Sequence, residues 1–152
     1  MVHKYENMEL FNRICIVLFN RLYSAFPVPV DLNPNDVAMS AISEPASKDE
    51  TWNTLSIAGE VISFLEEEGF LRHQGETSDG QYVQVRLTMK GLVVLGYVPS
   101  ALEPNETPQP LISKVRAIVS GGLKEAGSES VRQLVSHAFS LALSFVKRSA
   151  LY

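Results

Sequence analysis

Residues Ser47 to Leu95 read SKDETWNTLSIAGEVISFLEEEGFLRHQGETSDGQYVQVRLTMKGLVVL, and the rest of the chain is organised around them. Ser47-Lys48-Asp49-Glu50 is a capping box, the pattern that satisfies free N–H groups at a helix start. The helix it opens is expected to run to Glu68 and to close on Gly69. On a wheel of about 100° per residue, Leu55, Ala58, Val61, Ile62 and Leu65 gather on one side, with Ile57 and Phe64 at its edge. The opposite side carries Asp49, Trp52, Ser56, Gly59, Glu60 and Ser63, with Asn53 nearby. Phe70 to Gln74 reads as a strand and Gly75 to Gly80 as a turn, because Asp-Gly favours hairpins. The return strand alternates, with Val83, Val85 and Leu87 on one face and Tyr82, Gln84 and Arg86 on the other. Thr88 then caps a short helix, Met89 to Leu95.

Upstream, a helix is expected from about Glu6 to Phe26. Phe11, Ile14, Cys15, Leu18, Leu22 and Ala25 form its apolar stripe, and Arg13, Asn20 and Ser24 lie roughly opposite. Ile16, Phe19 and Tyr23 make a second apolar flank, so this helix should touch more than one neighbour. Pro27 and Pro29 stop it. A short β-compatible segment, Val28 to Leu32, precedes a helix capped by Asn33, with Pro34 in its first turn and Pro45 beyond its end at Ser43.

Downstream, residues 97–110 hold four prolines and two glutamates, and read as an extended linker. The chain therefore divides into 1–96, a linker 97–110, and a helical pair 111–152. The first tail helix is expected over Leu111 to Ala126, interrupted at Gly121-Gly122. The last runs from a Ser128 cap to about Arg148, with a narrow polar strip and an apolar arc too wide for one packed side.

Composition narrows the class. The chain has 152 residues, 45% of them hydrophobic and 20% charged, which suits a folded domain with a real core. The net charge of −4 argues against a generic nucleic-acid binder, without excluding a locally basic face. A single cysteine, Cys15, permits no intrachain disulfide, so the cytoplasm is the expected compartment. The N-terminal residues lack the pattern of a signal peptide, and no apolar run suggests a transmembrane segment.

The run FLEEEGFLRHQGETSDGQYVQVRLTMKGLVVL resembles winged helix-turn-helix proteins of the MarR and PadR type. It shares their succession of acidic pair, Gly, hairpin and Leu-Thr-x-Lys-Gly, over about residues Val61 to Leu95. The wider layout looks closest to uncharacterised bacterial winged-helix proteins. The resemblance implies an α+β, mostly α fold: a winged helix with a small β-hairpin wing and two extra C-terminal helices. It implies a DNA-associated transcriptional regulator, with a protein-interaction adaptor as the alternative, since the fold serves both roles.

Lys48, Trp52, Asn53 and Ser56 on the long helix, with Arg72, His73, Arg86 and Lys90 at the hairpin base, are the residues expected to meet DNA or a protein partner. Against DNA stand Asp49, Glu60 and an acidic hairpin tip, Glu76 and Asp79. Trp52, the only tryptophan, is a natural interface anchor. Leu134, Ala138, Leu141 and Phe145 of the last helix are expected to build a homodimer, with docking on the chain itself or on a membrane surface as alternatives. His3, His73 and His137 lack metal-ligand spacing with Cys15, and no phosphate loop or nucleophile motif occurs. No enzyme activity, cofactor or metal is expected.

Overall fold

A computed structural model describes residues 5–42, 47–98 and 107–150, with side chains described as far as residue 145. The expected Pro45 stop, the centre of the linker, His3, and the side chains of Val146, Lys147 and Arg148 lie outside the described residues. The fold is α+β and mostly helical. Its order is α1 (Asn7–Ala25), β1 (Val30–Leu32), α2 (Pro34–Ala41), α3 (Lys48–Glu67), β2 (Leu71–Arg72), β3 (Gly75–Glu76), β4 (Tyr82–Leu87), α4 (Met89–Gly96), α5 (Leu111–Ser120), a 3₁₀ turn (Leu123–Glu125) and α6 (Ser128–Ala150).

The caps behave as their chemistry requires. Asn33 Oδ1 accepts from the Asn35 N–H at 2.9 Å, and Ser47 Oγ from the Glu50 N–H at 3.2 Å. At the far end of α3 the Gly69 N–H donates to the Glu66 carbonyl and the Phe70 N–H to the Leu65 carbonyl. Gly69 has φ +79°, so this is the left-handed closure that glycine permits.

The sheet is small and antiparallel, with β4 between β1 and the two short strands β2 and β3. The expected strict alternation in β4 fails at Gln84. Val30 pairs with Val85 but Leu32 pairs with Tyr82, so β4 carries one extra residue there. Gln84 takes φ +56°, and its N–H donates to Asp31 Oδ1 at 2.9 Å. This bulge turns Tyr82 inward beside Val85, and both are buried. The strand expected over Phe70 to Gln74 is also broken, because His73 and Gln74 separate β2 from β3.

Helix α1 is the axis of the core. It packs against α2, α3, β4, α5 and α6, as its two apolar flanks anticipate. One expectation is overturned here. Arg13, placed on the outer side of α1 by periodicity, is only 3% exposed. The tail covers that side: Arg13 donates to the Leu123 carbonyl at 2.8 Å and to the Ala126 carbonyl at 3.1 Å. The tail's first helix is shorter than expected, since the chain turns at Gly121-Gly122, with Gly122 at φ +94°. Leu111, Val115, Val131, Leu134, Val135 and Ala138 join the same hydrophobic core as α1 to α4. The Leu111 N–H also donates to the Tyr97 carbonyl at 3.0 Å, which brings the two ends of the linker together.

Candidate functional site

Helix α3 presents two flanks around an exposed ridge. The buried stripe runs Glu50, Thr54, Ala58, Val61, Ile62 and Leu65, one turn further toward the N-terminus than the apolar residues predict. Thr54 fits there because its hydroxyl donates to the Glu50 carbonyl at 2.8 Å. Leu55, expected in the core stripe, is only half-buried. Trp52 is 66% exposed, and Lys48 and Ser56 are exposed beside it. Asn53 is half-buried, and its Nδ2 is enclosed without a hydrogen-bond partner among the described residues.

On one flank of α3 lies a cleft of about 410 Å³ facing the hairpin and the start of α2. Ser56, Glu60 and Ser63 come from α3, Glu76, Asp79 and Tyr82 from the hairpin, and Asn33 and Asn35 from the cap of α2. Tyr82 donates to the Gly59 carbonyl at 3.3 Å. Burial pushes its phenol above the usual range; the Ser63 hydroxyl opposes this, and the Glu76 and Glu60 carboxylates add to it. The cleft is thus polar and acidic, with no lysine or arginine among the described residues that line it.

The expected basic residues are dispersed around it. Arg72 and Arg86 are exposed and stand directly opposite one another on β2 and β4. His73 is spent within the fold. Its Nδ1 accepts from the Gly75 N–H at 3.0 Å, its Nε2 meets the Glu66 carboxylate, and its ring packs edge-on against Tyr82. Lys90 is turned toward the end of α3, where its Nζ donates to the Glu68 carbonyl at 2.7 Å and lies over the Phe70 ring. Lys48, Trp52 and Ser56 therefore share a surface, whereas His73 and Lys90 are engaged elsewhere.

The other flank of α3 opens on a groove of about 840 Å³ between α1, α3 and α6. Phe11, Phe64, Phe70 and Phe139 form its floor, with ring centroids 5.1 to 6.5 Å apart. Sequence periodicity did not assemble this groove. The signals present were Phe64 and Ile57 at the edge of the α3 stripe and the overly wide apolar arc of α6.

Of the four tail residues expected at a homodimer contact or docked on the chain itself, two are withdrawn from the surface. Leu134 and Ala138 are buried within this chain, Leu141 and Phe145 are half-buried against it, and Phe145 packs on Tyr97 at 6.3 Å. Leu134 and Ala138 offer no surface to a second copy.

The chain matches no family model, no curated protein and no solved structure. Its chemistry has to be read from its own residues. Among the described residues no group of His, Cys, Asp and Glu is placed to hold a metal ion. None of the described helices is long and apolar enough to cross a membrane. Cys15 is fully buried, and burial pushes its thiol far above the ordinary value, so it stays protonated and unreactive.

Proposed function

We propose that this chain is a cytoplasmic winged-helix protein that works as a protein-interaction module, with the exposed ridge of α3 as its contact surface. The element order supports the winged-helix reading: α1, β1, α2, α3, then a hairpin whose return strand pairs with β1. The composition of the cleft between α3 and the hairpin carries the choice of partner. A duplex laid along α3 would bring its phosphates against Glu60, Glu76 and Asp79. A protein surface with its own cations gains from the same carboxylates, and Trp52 supplies the large, exposed anchor that interfaces favour.

The test is a binding titration with a partner captured by the wild-type chain and then purified. Trp52→Ala should weaken that binding by about tenfold or more and leave the melting temperature unchanged, because the ring is exposed. Equal binding by the variant would remove Trp52 from the contact.

A DNA-associated regulator is the second reading, favoured by Arg72 and Arg86. Two exposed arginines facing each other across adjacent strands repel, an arrangement that a phosphate would relieve. On that reading Arg72→Glu or Arg86→Glu should abolish a salt-sensitive gel shift.

A further inference from the structure

We propose that the aromatic groove between α1, α3 and α6 is a docking site for an amphipathic, positively charged helix of a partner protein. Three observations converge on that occupant. The first is shape. Ile57, Val61, Phe64 and Glu68 line one wall at helical spacing along α3, a run of about 16 Å or three turns. A guest helix needs such a trough to seat anchors at positions i, i+3 or i+4, and i+7. The second is apolar exposure. Met8, Phe64 and Leu143 line the groove and are 67%, 40% and 65% exposed. Large apolar side chains clustered this way are costly to leave in water.

The third is charge. Glu60 and Glu68 stand at the rim, and neither forms an ion pair among the described residues. Among the described residues that line the groove the one cation is Lys90, whose Nζ donates to the Glu68 carbonyl and lies over the Phe70 ring. Two carboxylates against one ammonium leave the described lining a net charge of −1 over an aromatic floor. Lysines or arginines flanking the apolar stripe of a guest helix would meet both the carboxylates and the ring faces. Glu60 also lines the cleft on the other flank of α3, so a single partner gripping this ridge can place its helix in the groove and its adjoining surface over Trp52. This deepens the protein-interaction proposal, and rests on it only in taking α3 as the interaction helix.

The experiment uses the full chain and three labelled synthetic peptides of about 18 residues. One is an amphipathic helix with a leucine stripe flanked by lysines. The second is its scrambled isomer, and the third has every lysine replaced by glutamate. Fluorescence anisotropy is read for the wild type, Leu143→Glu, Glu68→Lys and Trp52→Ala, with far-UV circular dichroism as the folding control. Leu143 and Glu68 are exposed, so both substitutions leave the core untouched.

The amphipathic lysine peptide should bind the wild type at least about tenfold tighter than either control peptide. Leu143→Glu and Glu68→Lys should each weaken it severalfold, and Trp52→Ala should leave it unchanged. Equal binding of the scrambled or acidic peptide, or no response to Leu143→Glu, overturns the docking site. So does light scattering that finds a dimer split by Leu143→Glu, because a second copy would then be the occupant. A Trp52-dependent partner that binds undiminished to Leu143→Glu overturns the groove alone and spares the α3 ridge. Loss of that Trp52 dependence, with the peptide result intact, does the reverse.

Discussion

Gly91 sits where a side chain has no room. A Cβ there would lie 2.4 Å from the Phe70 carbonyl oxygen, a backbone atom with little freedom to retreat. The neighbouring residues explain why the approach is so close. Thr88 caps α4 by accepting from the Gly91 N–H at 3.1 Å, and its hydroxyl donates to the Gly69 carbonyl. Its N–H donates to the Phe70 carbonyl at 3.0 Å, and Lys90 donates to the Glu68 carbonyl. Thr88, Lys90 and Gly91 together tie the end of α3 to the start of α4, with a cation placed at the negative end of a helix. Gly91→Ala should therefore cost about 2–3 kcal/mol, measured by urea unfolding. A loss below about 0.5 kcal/mol would show that α4 shifts freely. Tyr82 gives a pH dependence. Its folded phenol has a raised pKa, so its contribution is complete below the unfolded value of about 10 and falls as pH climbs through the folded value. Tyr82→Phe should flatten the alkaline limb of a stability profile, and an unchanged limb would assign it to other groups.

At the scale of elements, α1 and the tail depend on each other. Arg13 holds two carbonyls of the segment that joins α5 to α6, in a position only 3% exposed. Arg13→Ala strips those acceptors of their donor and should destabilise the chain by about 3 kcal/mol, read by chemical denaturation. A change within about 0.5 kcal/mol would mean that the tail does not dock on this face. The same residue marks where the sequence stopped being legible. Cap signals located the starts of α2, α3 and α4 and a stop signal the end of α3, because Asn33, Ser47, Thr88 and Gly69 act through partners only a few residues away. Arg13 was misplaced because its partners are more than a hundred residues along the chain. The bulge at Gln84 was invisible for a related reason. It answers the register of β1 and the carboxylate of Asp31, neither of which an alternating pattern within β4 reports. Trp52 was legible, since exposure on an amphipathic helix follows from its own periodicity. The aromatic groove was not, because it combines residues from three helices.

For the whole molecule, tail and N-terminal region share one core. Leu111, Ile112, Val115, Leu123, Val131, Leu134 and Val135 are all buried. At about 1.5–3 kcal/mol for each fully buried large side chain, their loss is as large as the net stability of an ordinary domain, about 5–15 kcal/mol. Truncation after Pro110 should thus yield an unfolded or aggregated product by circular dichroism and light scattering. A folded monomer would show that residues 5–98 stand alone. The cleft beside α3 is acidic and, among the described residues, holds no lysine or arginine, which sets the proposed protein partner against a DNA duplex. A fluorescence titration of mixed-sequence duplex DNA, at low salt where phosphate contacts are strongest, separates the two most directly. A protein-interaction module should show no saturable binding. Saturable binding that weakens steeply with added salt, and that disappears in Arg72→Glu or Arg86→Glu, would contradict it.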